Sequence, residues 1–279
     1  MNNQNTNINN SFFTGDEPKE KIQNFIRENG FLILKNCFSE SQISDFKYFF
    51  ENPENQKKFI KDPPAKYIPG ASHIIDGFEK VVVEPKLINI LSKIINGKIA
   101  YTSHSDLHSG LSTGWHKDDG GGIYFGNESD YYNDEACNVY RVGIYLRDCK
   151  IDGGLTVKVG SHRSPKKNIG DNLYLACELG DAVIFDCRIT HKGWVKKRGI
   201  ISEIIRKVLR KFKVNLKREK IPFEKKSIFL AYGALNKYTE IYAIKNMEKQ
   251  NKFYDEDVSL MPENLKNNLQ SKSIHYYFE

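Results

Sequence analysis

Two His-x-Asp pairs and a later histidine are the residues of this sequence whose types and spacing could hold a metal ion. The pairs are His104-Ser105-Asp106 and His116-Lys117-Asp118, and the later histidine is His191. Because residues i and i+2 of a strand point to the same side, each pair offers an imidazole and a carboxylate together. Two histidines and one carboxylate on one face of a metal, with other positions open, are the ligands of non-haem Fe(II) oxygenases.

The surroundings of the two pairs differ. A glycine-rich stretch at 120–122 follows His116-x-Asp118, and such a stretch can open beside a site. His104 and Asp106 lie instead inside a run that predicts an uninterrupted strand. Asp119 cannot point the same way as Asp118 on a strand. We interpret the remaining histidines of this region as hydrogen-bonding residues of the core or of loops, namely His104, His108 and His162.

Short β-rich runs separated by turn signals are the elements that must position these residues. They are predicted at 99–107, 111–117, 138–146, 155–159, 173–177, 182–185 and 227–232. Many short strands at this spacing indicate a sandwich or barrel rather than βαβ units. An additional buried strand is predicted at 31–34, and helices are predicted at 16–29, 39–50 and 85–96 and in much of 237–279. Ser39 and Gln42 have the spacing of a capping box.

Four ordered blocks of the sequence carry a family resemblance. They are Trp-His-Lys-Asp at 115–118, Arg-Val-Gly-Ile-Tyr-Leu-Arg-Asp at 141–148, the stretch from Gly-Gly to Gly-Ser-His-Arg at 153–163, and Gly-Asp-Ala-Val-Ile-Phe-Asp at 180–186 followed by His191. In this order they resemble the phytanoyl-CoA dioxygenase family of Fe(II)/2-oxoglutarate oxygenases, over about residues 20–235. The resemblance implies a mainly β fold with α-helices, in which a double-stranded β-helix (jelly-roll) core carries flanking helices.

The resemblance also implies the chemistry. His116, Asp118 and His191 would hold Fe(II), with 2-oxoglutarate and O2 as co-substrates, and 2-oxoglutarate would leave as succinate and CO2 while a substrate C–H bond is hydroxylated. Related halogenating enzymes replace this aspartate with a small residue, so the presence of Asp118 favours hydroxylation. The expected substrate is a small molecule, free or linked to a lipid or carrier.

The anchor for the distal carboxylate of 2-oxoglutarate departs from the family pattern. The family places an arginine about ten residues beyond the distal histidine, at the start of the last core strand, but positions 201 and 202 are Ile and Ser. Alignment by strand brings Lys225 or Lys226 to this place, and Lys225 is the first choice. Arg198 is the alternative if distance from His191 matters more. The competing interpretation is that both lysines are solvated charges beside a strand.

Arg141 is a charged residue inside a predicted strand, where such residues are uncommon unless they are paired. One interpretation is that it faces the barrel interior and meets a carboxylate of the co-substrate or substrate. The other is a strand-edge arginine paired with a nearby Asp or Glu. Tyr101 and Ser103 alternate on the strand before the motif, and core packing is the preferred interpretation for both.

The positive charge of the chain is concentrated in one insertion. The chain has a formal charge of +7, and residues 196–226 carry 13 Lys and Arg against three Glu, so the remainder is slightly acidic. Residues 200–213 predict a basic amphipathic helix. It could dock on the jelly roll, lie on an anionic membrane as a peripheral contact, or guide an anionic substrate.

The 279 residues suit a short tail and one large domain. We predict a disordered Asn-rich tail at 1–15 and a single oxygenase domain at 16–279, with the insertion at about 196–226. No apolar window of membrane-spanning length and no signal peptide is visible, so a soluble cytoplasmic protein is expected. Five scattered cysteines without a CxxC pair indicate reduced thiols in or near the core.

Two other functions compete with a small-molecule oxygenase. A non-catalytic or non-redox jelly roll that binds a metal or ligand would account for the altered co-substrate anchor. An oxygenase of nucleic acid would account for the basic insertion, but the sequence lacks the interleaved aromatic and basic residues that stack bases. Formation of succinate from 2-oxoglutarate and Fe(II) without a substrate would separate the first alternative from an oxygenase.

Overall fold

Two β-sheets and a layer of helices build the protein in a computed structural model that describes residues 11–62, 65–110, 113–151, 153–193, 225–254 and 257–278. The strands are β1 (Phe12–Phe13), β2 (Phe31–Leu34), β3 (Ile60–Asp62), β4 (Ala65–Pro69), β5 (Ile99–Ser109), β6 (Val139–Tyr145), β7 (Leu155–Lys158), β8 (Asn172–Leu175), β9 (Ala182–Asp186), β10 (His191–Gly193), β11 (Lys226–Ala234) and β12 (His275–Tyr276). The helices are α1 (Lys19–Asn29), α2 (Glu40–Glu51), α3 (Pro53–Lys58), α4 (Ala71–Ile74), α5 (Glu79–Val82), α6 (Pro85–Ile94), α7 (Glu128–Tyr131), α8 (Lys237–Asn251) and α9 (Glu263–Ser271).

The larger sheet is mixed and does not close into a barrel. Its strand order is β1-β2-β9-β6-β11-β5-β4-β3, with β12 also paired to β5. The β1–β2 and β5–β12 pairs are parallel, and the other ladders are antiparallel. The smaller sheet has the order β10-β7-β8. Non-consecutive neighbours in both sheets are typical of a jelly roll rather than of βαβ units.

Alternating side chains of the large sheet bury both of its faces. On β2, Phe31 and Ile33 pack with Leu155 and Val157 of the small sheet. Leu32 lies on the other face and packs with residues of the helical layer, among them those of α2 and α6. The large sheet is therefore the central layer of a three-layer core, and each fully buried side chain of this size contributes roughly 1.5–3 kcal/mol.

Several predicted elements are confirmed. Strands form at or within two residues of the predicted runs for β2, β5 to β9 and β11, and helices α1, α2 and α6 lie within the predicted ranges or extend one residue beyond them. The Ser39 side chain accepts a hydrogen bond from the Gln42 backbone, and the Gln42 side chain returns to the Ser39 backbone, so the capping box is present. All five cysteines are buried free thiols.

Two predictions about elements are wrong. The strand predicted at 111–117 is not formed over its described part, where only His116 makes an isolated bridge to His191. The predicted disordered tail is too long, because β1 pairs with β2 and Phe13 is buried. The second error has a physical cause: a two-residue strand that pairs with a distant segment leaves no local periodicity in the sequence.

Other predictions fall outside the described residues. They concern residues 1–10 of the tail, Arg198, the basic amphipathic helix at 200–213, and all of the insertion except Lys225 and Lys226. Among the helices that the structure describes, none is both long enough and apolar enough to cross a membrane.

Candidate active site

Backbone hydrogen bonds bring the first and third predicted metal ligands together. The amide of His116 donates to the carbonyl of His191 at 2.9 Å, and the amide of His191 donates to the carbonyl of His116 at 2.9 Å. The amide of Asp118 donates to the carbonyl of Cys187 at 2.8 Å. This short antiparallel contact fixes the segment 116–118 against the start of β10, which carries His191 at its first position.

His116, Asp118 and His191 converge on one point. Each offers a ligand atom, and these atoms lie within 4.8 Å of one another. His116 Nε2 is 3.4 Å from Asp118 Oδ1, and His191 Nε2 is 3.7 Å from Asp118 Oδ2. In the part of the chain that the structure describes, no other group of three His, Cys, Asp or Glu residues converges in this way.

The imidazoles are oriented for coordination through Nε2. The Nδ1 atom of His116 lies 2.7 Å from the carbonyl oxygen of Gly114, and Nδ1 of His191 lies 3.1 Å from that of Ile189. Each Nδ1–H therefore donates to a backbone carbonyl, which leaves the Nε2 lone pair directed toward Asp118. Metal-ligating histidines are usually held by such a hydrogen bond from the other ring nitrogen.

The charge states of Asp118 and His191 suit a divalent cation. Burial lowers the pKa of His191 to about 4, although Asp118 opposes the shift. Burial favours the neutral acid at Asp118, but the two histidines and Arg141 outweigh it and hold the pKa of Asp118 well below its usual range. At neutral pH the site thus presents an ionised carboxylate and a neutral His191, the forms that bind metals.

The other His-x-Asp pair is engaged in hydrogen bonds. His104 Nε2 lies 2.8 Å from Asp106 Oδ2, and Nδ1 lies 2.8 Å from the Tyr242 hydroxyl. His108 Nε2 is 3.7 Å from the same Asp106 oxygen. The interpretation of His104 as a hydrogen-bonding residue is therefore confirmed, and so is that of His162, whose Nε2 lies 3.0 Å from the Arg27 carbonyl oxygen.

Arg141 faces the interior, between the two aspartates. Its side chain is buried, with Nε 3.5 Å from Asp118 Oδ2 and a terminal nitrogen 3.7 Å from Asp106 Oδ2. Of the second interpretation, the strand-edge position is wrong, because β6 lies between β9 and β11 in the large sheet, whereas the pairing with nearby carboxylates is confirmed. The guanidinium lines the cavity beside the three candidate ligands. Contact with a co-substrate carboxylate stays a prediction.

Lys225, the residue immediately before β11, also lines this cavity. It is buried and lines the cavity together with Tyr145 and Ser227. Its ammonium nitrogen is 5.5 Å from the centre of the Tyr145 ring. The Tyr145 hydroxyl is buried and has no hydrogen-bond partner in the described structure. A cation and an unsatisfied hydroxyl in a buried cavity form a site for an anion.

Lys226 lies outside the cavity. Its ammonium nitrogen is 3.1 Å from Glu51 Oε1 and lies over the ring of Phe50. Because successive residues of a strand point to opposite faces, Lys225 and Lys226 cannot both face the metal ligands. The prediction that Lys226 binds the co-substrate therefore has no geometric support, whereas that for Lys225 has.

Tyr145 and Ser227 are two polar cavity residues that sequence analysis missed. Tyr145 is four residues beyond Arg141 on β6, and Ser227 is two residues beyond Lys225. Strand periodicity could have indicated both, because i+2 and i+4 positions share a face. Tyr101, by contrast, is a core residue as predicted: it is fully buried and donates to Ser72 Oγ at 2.8 Å.

A jelly roll that brings two histidines and an aspartate to one cavity defines the class of non-haem metal oxygenases. The sequence matches the phytanoyl-CoA dioxygenase (PhyH) family over residues 26–194, which is more than half of the chain. The chain belongs to this family and is an Fe(II)- and 2-oxoglutarate-dependent oxygenase. Membership favours the catalytic function over a non-catalytic jelly roll.

Solved structures with the same fold have low sequence identity to this chain. The non-heme alpha ketoglutarate dependent epimerase SnoN from nogalamycin biosynthesis is 11% identical, with a TM-score of 0.59 over 77% of this chain and 82% of its own. The carbocyclase SnoK from the same biosynthesis is 14% identical, with a TM-score of 0.57 over 78% and 85%. HygX from Streptomyces hygroscopicus, with nickel and 2-oxoglutarate bound, is 12% identical, with a TM-score of 0.54 over 75% and 85%. No curated protein matches the sequence.

Proposed function

We propose that the protein binds Fe(II) through His116, Asp118 and His191 and uses 2-oxoglutarate and O2 to hydroxylate a small molecule. The observation that carries this proposal is the convergence of the three ligand atoms within 4.8 Å, in the cavity that also contains Lys225. The ligand set is two nitrogens and one carboxylate, which suits iron and leaves coordination positions for a co-substrate and O2.

When bound, Fe(II) and 2-oxoglutarate would supply the oxidising chemistry for hydroxylation of a substrate C–H bond by O2, with succinate and CO2 as the products of the co-substrate. The residues of the chain bind and orient. The carbonyls of Gly114 and Ile189 hold the imidazoles in the coordinating tautomer. Arg141 lies within 3.5 Å of Asp118 and restrains its carboxylate. Phe229 and Leu155 give the cavity apolar walls that limit access of water.

Lys225 and Tyr145 bind the distal carboxylate of 2-oxoglutarate in this proposal. A lysine acts as a point charge and lacks the paired geometry of an arginine, so a second donor compensates. The Tyr145 hydroxyl is the natural second donor, because it is buried and unpartnered in the described structure. Burial lowers the pKa of Lys225 to about 8, so the ammonium is mostly charged at neutral pH and gains a partner when the dianion binds.

The experiment measures succinate released from 2-oxoglutarate with Fe(II) in air, without added substrate, for the wild type, Lys225→Met and Lys226→Met. We expect wild-type turnover, and a KM for 2-oxoglutarate raised about 10- to 100-fold in Lys225→Met, since a charged hydrogen bond contributes ~1.5–3 kcal/mol. Lys226→Met is the matched control and keeps the wild-type KM. Absence of both turnover and 2-oxoglutarate binding in the wild type would contradict the proposed function, and equal KM values for all three proteins would contradict the anchor.

We also propose that the substrate carries negative charge. The support is a basic surface beside the site: the ammonium groups of Lys158 and Lys192 lie 5.1 Å and 4.7 Å from the centre of the Trp115 ring. Trp115 and Lys192 directly adjoin His116 and His191. Peripheral membrane contact through residues 200–213 stays a prediction about residues that the structure does not describe.

A further inference from the structure

Lys117 is the middle residue of the His-x-Asp pair, and its side chain is buried. The exposed fraction of the residue is 8%. Its ammonium group donates to the carbonyl oxygen of Ser161 at 2.7 Å and to that of Arg188, and it lies 5.2 Å from the centre of the Tyr132 ring. No ion pair of Lys117 with a carboxylate occurs among the described residues. Burial of an ammonium group costs free energy unless the group is hydrogen-bonded. The two carbonyl oxygens therefore hold the Lys117 ammonium in one place.

Both acceptors belong to segments that place the third ligand, His191. The Ser161 hydroxyl donates to the carbonyl of Lys158 at 2.6 Å and accepts from the Thr190 amide at 2.8 Å. The Lys158 amide donates to the carbonyl of Thr190 at 2.8 Å. Thr190 directly precedes His191, so the turn at Ser161 holds the backbone at the third ligand.

The other acceptor, the carbonyl oxygen of Arg188, lies three residues before His191 in the chain. Arg188 is followed by Ile189, whose carbonyl accepts the Nδ1–H of His191 and thereby sets the orientation of the ring. Arg188 is itself fixed, because its guanidinium pairs with Asp186 at 2.7 Å. Lys117 therefore joins the segment of the first two ligands to two rigid points that determine where the third ligand lies.

We propose that Lys117 is a positioning residue that sets the spacing of the three metal ligands by tying the segment 116–118 to Ser161 and Arg188. The inference rests on the proposed function of His116, Asp118 and His191. It assigns a role to the middle residue of the His-x-Asp pair, which is not one of the three converging residues and does not line the cavity.

The physical consequence of removing the ammonium follows from these contacts. Methionine has a similar length, so Lys117→Met fills the space but leaves two buried carbonyl oxygens without this donor. The two segments can then separate, and the imidazole of His191 can leave its place relative to Asp118. Substitutions around metal ligands typically lower metal affinity about 10- to 100-fold.

The test is titration of the metal-free protein with Co(II), without 2-oxoglutarate, followed by the visible absorption bands of bound Co(II). We expect Lys117→Met to bind Co(II) about 10- to 100-fold more weakly than the wild type. At saturation its bands should differ in position or intensity, because they report ligand geometry, which a uniform loss of stability would not change. Ser161→Ala removes the hydroxyl links but keeps the carbonyl, and a smaller loss of affinity is expected.

Lys226→Met is the matched control, because it removes by the same substitution a lysine that lies outside the cavity and pairs with Glu51. It should keep wild-type Co(II) affinity and bands. Wild-type affinity and bands in Lys117→Met would overturn the inference, whatever the result for Ser161→Ala. If Lys117→Met does not fold, Lys117→Gln, whose shorter side chain cannot reach both carbonyl oxygens, is titrated in its place and the same two readouts decide. Failure of the wild type to bind Co(II) would instead contradict the proposed function, so the two failures are distinguishable.

Discussion

At the scale of single residues, the same sequence pattern has two different roles in this protein. His104-x-Asp106 and His116-x-Asp118 have identical spacing, but the partners of the ring nitrogens differ. Both nitrogens of His104 have side-chain partners, Tyr242 and Asp106. His116 uses only Nδ1 on a backbone carbonyl and leaves Nε2 for the site. The hydrogen-bond environment, and not the motif, therefore decides which pair can coordinate a metal.

The neighbouring aspartates Asp118 and Asp119 provide a prediction at this scale. Asp119 is buried and accepts hydrogen bonds from the hydroxyls of Tyr131 and Tyr132 and from the Gly121 amide. We expect Asp118→Ala to abolish metal-dependent succinate formation while the protein stays folded. Asp119→Ala should retain metal binding but lower the free energy of unfolding by about 1–3 kcal/mol, since it leaves buried donors unpaired. Metal titration and urea unfolding of both variants check this, and equal loss of metal binding would contradict the assignment.

At the scale of elements, short strands place the site through their register. At the start of β11, side chains alternate between the two faces of the sheet. Lys225, directly before the strand, and Ser227 therefore line the cavity, whereas Lys226 points to Glu51. On β6 the same alternation puts Arg141 and Tyr145 on the cavity side. If β6 or β11 slipped by one residue in its pairing, the side chains now in the cavity would point to the opposite face. The register of the β6–β11 pairing therefore determines which residues form the site.

Gly30 links three elements and gives an element-scale prediction. It ends α1 with a φ of 83°, and its carbonyl accepts from the Asp186 amide at 2.9 Å. A Cβ at this position would collide with the His162 ring. We expect Gly30→Ala to lower the free energy of unfolding by more than the ~1 kcal/mol typical of a left-handed glycine, because the collision adds to the backbone strain.

Gly97→Ala is the control for this prediction. Gly97 has a φ of +105°, and its Cβ would meet no atom within 4 Å. It therefore reports backbone strain alone. Urea unfolding of both variants compares the two costs, and equal destabilisation would show that the contact with His162 contributes nothing.

At the scale of the whole molecule, a buried histidine couples stability to pH. His73 joins α4 to the C-terminal region, with Nδ1 3.2 Å from the Leu260 carbonyl oxygen and a buried Nε2 without a partner in the described structure. Burial lowers its pKa to about 4, against about 6.5 in the unfolded chain. The folded state therefore resists protonation, and stability is lost as pH falls from about 6.5 toward 4.

The prediction is that His73→Gln weakens this dependence. Glutamine does not titrate, so the free energy of unfolding of the variant should fall less between pH 7 and pH 5 than that of the wild type. Urea unfolding of both metal-free proteins at the two pH values measures the difference. Identical pH dependence would show that the protonation of His73 is not linked to folding.

Much of the molecule could be predicted from local sequence, and the remainder depends on distant contacts. The apolar runs of β2 and β9 and the capping box at Ser39 are local signals, and the structure contains them. The bridge between His116 and His191 depends on register between segments far apart in the chain. Tyr145 illustrates the limit: a tyrosine is ordinary in a strand, and only the structure reveals that its hydroxyl is buried without a partner.

The central claim is that His116, Asp118 and His191 form the iron site, and the second His-x-Asp pair, His104 and Asp106, makes it directly testable. The measurement is anomalous X-ray diffraction at the iron absorption edge from crystals grown anaerobically with Fe(II). The account predicts one strong peak at bonding distance from Nε2 of both site histidines and from an Asp118 carboxylate oxygen. A peak at His104 and Asp106 on β5, or no peak from crystals grown with Fe(II), would contradict it.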